Sequence, residues 1–302
     1  MYRPGSVAAE TDCPMASGWT GITEDQVVRM LDPAQLLAID SINYLKPEDA
    51  GRIVVAASHG GLYCAYKAVA TGVRALILND AGGGRNQAGI AALEFGNSFG
   101  LPVATVSHMS ARIGDVADVR SRGIISHANA AANVLGVGPN LSCTEALVRL
   151  SAARFLKASP PKVEEHRFEV EILPGLDSVI CIDSASLIEP HDAGRVVLTG
   201  SHGALIGGIP TKAINVLCSF VAFNDAGVGC DEAGIGRLAP LDQQGVPAVT
   251  VAHTSAEIGN ARSTLFDGVI SYTNAQAFCL GARPGEKLHG FLSAWLSRGG
   301  ST

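Results

Sequence analysis

The sequence predicts an α/β protein built by tandem duplication of a parallel-sheet βα repeat, giving two similar Rossmann-like halves. Two observations predict this fold class: short apolar runs alternate with helix-length segments, and the same polar motifs return after about half of the chain. Buried strands that alternate with helical segments are typical of parallel sheets with helices on their faces. At 302 residues the chain is long enough for two such units.

An internal repeat is the feature that most constrains the architecture. Ile-Asp-Ser at 39–41 and Ser-His-Gly at 58–60 return at 182–184 and 201–203, in each case 143 positions later. A two-residue insertion then changes the offset to 145 positions. The later pairs of the repeat include Asp80 and Asp225, Gly82 and Gly227, His108 and His253, Ser110 and Ser255, and Asn129 and Asn274. This many ordered identities predict a duplication.

Each copy of the repeat contains five predicted strands. They are expected at 36–40, 52–57, 75–78, 103–106 and 123–126, and at 179–183, 195–199, 219–223, 248–251 and 268–271. The segments 62–71, 87–99 and 115–122 have the length and the Ala and Leu content of helices, and right-handed crossovers should join the strands. The segment 288–296 carries apolar residues at helical spacing and is expected to pack on the core or on a second subunit.

Two prolines mark the boundary between the copies. Pro160 and Pro161 cannot continue the helix-like run that precedes them. The predicted units are an N-terminal arm over 1–21, a first α/β repeat over 22–157, a linker over 158–164 and a second α/β repeat over 165–302.

Composition and charge exclude several classes of partner. The 22 Lys and Arg against 28 Asp and Glu give a net charge of −6 without a basic cluster, so neither nucleic acid nor an anionic membrane is expected. The apolar stretch 213–223 is interrupted by Asn215 and Ser219 and is shorter than a membrane span. The first residues show no signal or transit peptide, and the seven cysteines form no CxxC pair, so a cytoplasmic protein with reduced thiols is expected.

The repeated polar motifs follow the predicted strands, where ligands bind in open α/β sheets. General acid/base or metal-ligand roles are therefore expected for strand-end His and Asp residues of both copies. The alternative interpretation is that the Ser-His-Gly and Asn-Asp-Ala-Gly motifs form helix caps and turns, with the Asp orienting a neighbouring His. The candidate catalytic residues are His59, Asp80, His108, His202, Asp225 and His253.

Differences between the copies add three candidates. Arg85 and Arg112 occupy loop-to-helix positions where they could hold a substrate carboxylate, and surface salt bridges are the alternative. Cys230 stands where the first copy has Arg85, close to a predicted helix start that favours a reactive thiolate; packing is the alternative. His127 of the first copy is replaced by Tyr272.

The remaining candidates are substrate-binding residues. Backbone N–H groups of the glycine turn at Gly82 and Gly83 could receive an oxyanion. The sequence has no GxGxxG after a first strand, no P-loop, no GxSxG and no HExxH, so no nucleotide cofactor is expected. A divalent metal stays open, because His and Asp at adjacent strand ends are suitable ligands. Further binding residues are expected at Ser58, His127, Asn129, Ser201 and Asn274.

The leading hypothesis is an enzyme that hydrolyses a C–N or C–O bond of a small polar or anionic metabolite. The alternative enzyme class is an isomerase, racemase or lyase that uses acid/base groups from the two halves. In organisation the chain resembles the two-domain amino-acid racemases, but those use a Cys from each half, and Cys230 corresponds to Arg85. A third hypothesis is a metabolite-binding protein without catalysis. Whether there is one site or two, and whether the chain forms a homo-oligomer, stay open.

Overall fold

Two mixed, mainly parallel sheets with helices form the α/β fold. The computed structural model describes residues 33–155, 157–175 and 178–299, so the predicted arm over 1–21 lies outside the described residues. The first sheet contains β1 (Leu36–Ile39), β2 (Ile53–His59), β3 (Ala75–Asn79), β4 (Val103–Val106) and β5 (Ile125–Ala128). The second contains β6 (Arg167–Val170), β7 (Val179–Ile182), β8 (Val196–His202), β9 (Phe220–Asn224), β10 (Ala248–Val251) and β11 (Ile270–Thr273).

The strand order is sequential in both sheets. Strands β1 to β4 run parallel, as do β7 to β10, whereas β5 pairs antiparallel with β4 and β11 with β10. Strand β6 adds an antiparallel edge on β7. The expected all-parallel sheets are therefore wrong at the edges, because an apolar strand pattern carries no information on direction and mixed sheets tolerate antiparallel edges. The order also differs from the 3-2-1-4-5-6 order of a dinucleotide-binding fold.

Helices cover both faces of the first sheet. Alternate strand residues point to opposite faces, so Val55 and Ile77 pack in one core layer and Val54 and Leu76 in the other. The helices are α1 (Leu62–Thr71) and α2 (Ala92–Ser98) on one face and α3 (Val116–Arg122), α4 (Ala130–Val134) and α5 (Cys143–Leu150) on the other. The predicted helix over 87–99 is shorter, because Asn86 and Gln87 adopt positive φ in the turn that precedes α2.

The second half contains α6 (Leu238–Gln243), α7 (Ala261–Phe266), α8 (Ala275–Cys279) and α9 (Leu288–Leu296). Helix α9 buries its apolar stripe in the core of this half, as the core-packing alternative predicted. No helix among the described residues is long and apolar enough to cross a membrane.

The second half has no helical counterpart of α1. The corresponding segment forms only the short 3-10 turns Ile206–Gly208 and Pro210–Lys212. Gly207 and Gly208 have φ values of +63° and +67°, and Pro210 lacks a backbone N–H donor, so an α-helix cannot run through this segment. The two sheets are thus covered differently on the face that carries α1 in the first half.

The two halves meet at a seam in which the glycine turn of each half packs on a histidine of the other. The Arg85 N–H donates to the His253 carbonyl at 2.8 Å, and the Cys230 N–H donates to the His108 carbonyl at 2.9 Å. The seam also contains an apolar cluster from both halves, formed by Ala81, Ile113, Ala204, Ala226 and Ile258. Backbone hydrogen bonds and apolar burial therefore hold the halves together.

Replacing Gly227 by Ala tests the seam. A Cβ there would lie 2.8 Å from His108 Cδ2 and 3.1 Å from Gly82 Cα, whereas a Cβ at Gly245 meets no atom within 4 Å. Both glycines have positive φ, so each Ala variant should lose about 1–2 kcal/mol from backbone strain. The crowding at Gly227 should cost about 1–3 kcal/mol more. Urea denaturation measures both variants, and equal losses would contradict the seam as described.

Candidate functional site

A cleft of about 890 Å³ opens between the two halves. Residues of β2, the start of α1, the segment before β6 and the loops after β7, β8 and β10 line it. Parallel strands bring their carboxyl ends to one edge, which explains why both Ser-His-Gly motifs reach the cleft. The lining residues that carry the argument below are His59, Tyr63, Glu165, Ser184, His202 and Arg237.

His59 and His202 are the last residues of β2 and β8 and line this cleft together. The Gly61 N–H donates to Nδ1 of His59 at 3.1 Å, and the Ala204 N–H donates to Nδ1 of His202 at 3.2 Å. An Nδ1 that accepts a hydrogen bond is unprotonated, so the neutral ring carries its hydrogen on Nε2. Each imidazole is therefore a hydrogen-bond donor through Nε2.

Both imidazoles are held in the neutral form. Burial lowers the pKa of His59 from 6.5 to about 4. Burial also places the pKa of His202 well below its ordinary value, and the positive charge of Arg237 adds to the effect. His202 is 6% exposed, whereas His59 is partly open to the cleft. At neutral pH the two rings carry no charge.

The cleft is asymmetric around the two histidines. Gly259 and Asn260 line it beside His59, but their counterparts Gly114 and Asp115 do not line it. The reason is the irregular segment that replaces helix α1 in the second half, because its Gly207 N–H donates to the Gly114 carbonyl at 2.7 Å and covers that position. The structure therefore joins His59 and His202 in one asymmetric cleft.

Glu165 is a cleft carboxylate that the sequence reasoning missed. It is partly buried, and burial, supported by the nearby charge of Asp183, raises the pKa of its carboxyl group. The Ser184 hydroxyl, the positive charge of Lys67 and the Tyr63 hydroxyl oppose this shift without reversing it. The residue follows the Pro-Pro pair and belongs to no repeated motif, so neither spacing nor a copy in the other half marks it.

The two Asp–His pairs lie outside the residues that line the cleft. Asp80 Oδ1 accepts from His108 Nδ1 at 2.8 Å, from the His108 N–H at 2.9 Å and from the Gly82 N–H at 3.0 Å. Asp225 makes the same three contacts with His253 and Gly227, at 2.9, 2.9 and 3.1 Å. These bonds fix the seam, and the structure does not bring the pairs together with His59 and His202 at the cleft. Their catalytic roles stay predictions.

The arginines expected to hold a carboxylate have protein partners. Arg85 donates to the Ser255 carbonyl at 3.1 Å and pairs with Asp267 at 3.5 Å across the seam. Arg112 pairs with Asp115 at 3.0 Å and with Asp118 at 3.2 Å. These contacts match the salt-bridge interpretation, and neither arginine lines the main cleft.

The surroundings of Cys230 do not favour a thiolate, although the positive charges of Arg122 and Arg112 act in that direction. Its sulfur lies 3.8 Å from Arg122 Nη2, yet burial raises the pKa of the thiol. A reactive cysteine needs the opposite shift. The 3-10 segment Cys230–Ile235 also contains two residues at positive φ, so no regular helix starts there to supply a dipole.

Most of the expected binding residues are hydrogen-bonded to the backbone. The hydroxyls of Ser58 and Ser201 accept from the Ile42 and Ala185 N–H groups, each at 2.8 Å. Gly82 and Gly83 donate their N–H groups to Asp80 within the turn. Of these four residues only the two serines line the cleft.

Asn129 and Asn274 are caps in the structure. Their side chains accept from the third residue beyond them, Ala132 and Ala277, at 2.9 Å, and each also bonds a neighbouring strand start. His127 is exposed, and its ring contacts the Ser126 hydroxyl at 3.1 Å. None of the three lines the main cleft.

Within residues 33–155, 157–175 and 178–299, no three His, Cys, Asp or Glu side chains are grouped as metal ligands. Comparisons of the chain with protein-family models, with curated proteins and with solved structures found no match. Function is therefore inferred from the chemistry of the cleft.

The neutral state of His59 gives a pH prediction. Between about pH 6.5 and about 4 the unfolded chain binds a proton at this position that the folded chain does not bind. The free energy of unfolding should therefore fall as the pH is lowered through this window, by up to about 1.4 kcal/mol per pH unit from this group. Urea midpoints at pH 7 and pH 5 should differ less in His59→Gln than in the wild type.

Ring ¹⁵N spectra check the same prediction directly. At pH 7 and at pH 5, His59 and His202 should both show an unprotonated Nδ1 and a protonated Nε2. Assignment follows from loss of the signals in His59→Gln and His202→Gln. A protonated ring at pH 5, or the Nδ1–H tautomer, would contradict the proposed hydrogen-bond pattern.

Proposed function

We propose that the chain is an enzyme that polarises a carbonyl group of a small polar substrate with the Nε2–H groups of His59 and His202. The observation that carries this proposal is that two neutral imidazoles, one from each half, line one cleft with Nδ1 already occupied. A neutral imidazole whose pKa is lowered serves as an electrophile toward a carbonyl oxygen. Donors aimed at developing negative charge are among the strongest contributions to catalysis.

Glu165 supplies the base in this proposal. Its raised pKa brings a cleft carboxylate closer to the working pH, which is what proton transfer requires. A site that shifts the pKa values of neighbouring titratable groups in opposite directions is typical of an acid and base pair. Here the cleft lowers the pKa of the two imidazoles and raises that of the carboxyl group.

Hydrolysis of a C–N or C–O bond is the leading reaction. Glu165 takes a proton from water as the water oxygen bonds to the carbonyl carbon, and the resulting oxyanion is held by the imidazole N–H groups. When the carbonyl reforms, the C–N or C–O bond breaks and the leaving group takes the proton from Glu165. The net change is addition of one water molecule across the bond.

The second candidate is an isomerase, racemase or lyase at the same site. Glu165 would then remove a proton from the carbon next to the carbonyl, and the imidazoles would hold the enolate oxygen. The raised pKa of Glu165 favours this candidate, because a stronger base is better suited to a carbon acid. A metabolite-binding protein without catalysis is the remaining alternative.

The same proposal includes the origin of the two halves. Matching strand order and pairing, together with the 143- and 145-residue offsets, support duplication of one βα unit with sequential strand order. Loss of the α1 counterpart then left one cleft for both histidines. We further propose a cytoplasmic enzyme of small-molecule metabolism, which cell fractionation tests; the oligomeric state stays open and is measured by light scattering.

Isotope labels distinguish the candidate functions. The enzyme is incubated in H₂¹⁸O or in D₂O with a mixture of small carboxamides, lactams, carboxylic esters and hydroxy acids, and products are read by mass spectrometry. Hydrolysis places ¹⁸O in a product, whereas isomerisation or racemisation places deuterium on carbon without ¹⁸O. His59→Gln should lower kcat/KM by about 10²–10³-fold, and Glu165→Gln by about 10²–10⁴-fold.

Matched substitutions outside the cleft serve as controls. His289→Gln and Glu286→Gln make the same chemical changes on or beside α9 and should leave turnover unchanged. Wild-type turnover in both His59→Gln and Glu165→Gln would contradict the proposal. Binding of a compound without ¹⁸O or deuterium incorporation would favour the metabolite-binding alternative.

A further inference from the structure

Arg237 is a buried cation on the cleft wall that the proposed chemistry does not use. The residue immediately precedes α6 and is 6% exposed. Its guanidinium lies over the Phe223 ring, 5.0 Å from the ring centre. Burial lowers its pKa from 12.5 to about 10, so the side chain remains protonated at neutral pH.

Two of the three guanidinium nitrogens are occupied by backbone carbonyls. Nε donates to Ala204 at 2.8 Å, and Nη1 donates to Ala213 at 2.8 Å. Nη2 has no acceptor among the described residues and is not fully buried, and none of their carboxylates forms an ion pair with the group. The guanidinium is therefore held in position without being neutralised.

The second half has this arginine where the first half has an apolar core residue. Arg237 corresponds to Ala92, and both donate their backbone N–H to the glycine after the strand-end histidine, at 2.8 Å. Ala92 is fully buried beneath α1. In the second half α1 has no counterpart, and the guanidinium contacts the carbonyls of the irregular segment that replaces it.

A buried cation without a carboxylate is costly, because its lost hydration is not replaced by a counter-charge. An anion that enters the cleft would supply that charge, and a guanidinium is the group best suited to carboxylate and phosphate oxygens. His202, whose neutral ring is close enough to be affected by the Arg237 charge, offers a second donor through Nε2. Lys212 also lines the cleft, as do the carboxyl groups of Glu165 and Asp183, so Arg237 and not the overall charge of the lining carries the anion preference.

We propose that Arg237 Nη2 binds an oxyanion, the carboxylate or phosphate group of the molecule that occupies the cleft. Calling that molecule the substrate rests on the proposed function, whereas the binding site itself does not. The sequence predicted that Arg85 and Arg112 hold a substrate carboxylate. We assign that role to Arg237, because its guanidinium forms no ion pair with a carboxylate of the described residues. It predicts that anionic ligands are preferred over their neutral amides or alcohols.

Calorimetric titration of inorganic phosphate and of succinate into the wild-type protein tests the proposal. At least one should bind saturably, and the stronger one identifies the class of oxyanion. Arg237→Met keeps the length of the side chain and removes its charge, so affinity should fall roughly 10- to 100-fold. Arg262→Gln removes a charge from an exposed arginine of the same cleft and should bind like the wild type. Wild-type affinity in Arg237→Met, or no binding of either anion to the wild type, would overturn the proposal.

A measurement on the unmodified protein covers the case in which Arg237→Met does not fold. Crystals of the wild type are soaked in selenate, a tetrahedral oxyanion that is located by its anomalous scattering. The ion should lie within hydrogen-bonding distance of Arg237 Nη2. Selenate found only elsewhere would overturn the proposal.

The oxyanion site and the catalytic proposal fail separately. Loss of anion binding in Arg237→Met together with undiminished turnover in His59→Gln would retain the site and reject the catalytic role. Loss of turnover in His59→Gln together with wild-type anion affinity in Arg237→Met would support the catalytic role of His59 and reject the oxyanion site.

Discussion

The seam between the two halves is the constraint on which the site depends. Asp80 and Asp225 each accept three hydrogen bonds that fix the backbone and ring of a histidine. The carbonyl of that histidine then receives an N–H from the glycine turn of the other half. Because each turn is held by its own half and by the other, the two strand-end edges face each other at a fixed separation. His59 and His202 can share a cleft only because this separation is fixed.

Differences between the two halves explain why the structure has an asymmetric cleft. The shared residues of the repeat account for the seam, the caps and the two strand-end histidines. The other functional groups of the cleft come from residues without a like counterpart: Glu165 lies before the second repeat's first parallel strand, and Arg237 stands where the first half has Ala92. The irregular segment around Gly207 covers the position that is open beside His59. Thus the residues shared by the two copies form the scaffold, and the residues that differ between the copies determine what the cleft can bind.

The sequence predicted ten of the eleven described strands, because each of those ten is a short apolar run bounded by polar or glycine residues. It missed β6, in which polar and apolar residues alternate. It also placed His59 and His202 at strand ends, which the sheet geometry brings to the cleft. It could not distinguish these two cleft histidines from His108 and His253, which lie at the seam. A position at the end of a strand places a residue at one edge of the sheet but does not determine where its side chain points. The sequence reasoning missed Arg237, since an isolated arginine in an apolar segment reveals its burial and its lack of an acid only after folding.

Electrostatics link the two parts of the cleft. Burial lowers the pKa of His202, and the positive charge of Arg237 lowers it further, so the group proposed to bind an oxyanion also favours the neutral form of the neighbouring imidazole. A carboxylate in place of Arg237 would favour the protonated imidazolium form of His202. The imidazolium is a stronger acid but is not a neutral donor. A neutral donor can hold an oxyanion without transferring its proton, because the imidazole N–H is far less acidic than an imidazolium. An uncompensated arginine beside a buried histidine is therefore compatible with hydrogen-bond catalysis, and less suited to a charged general acid.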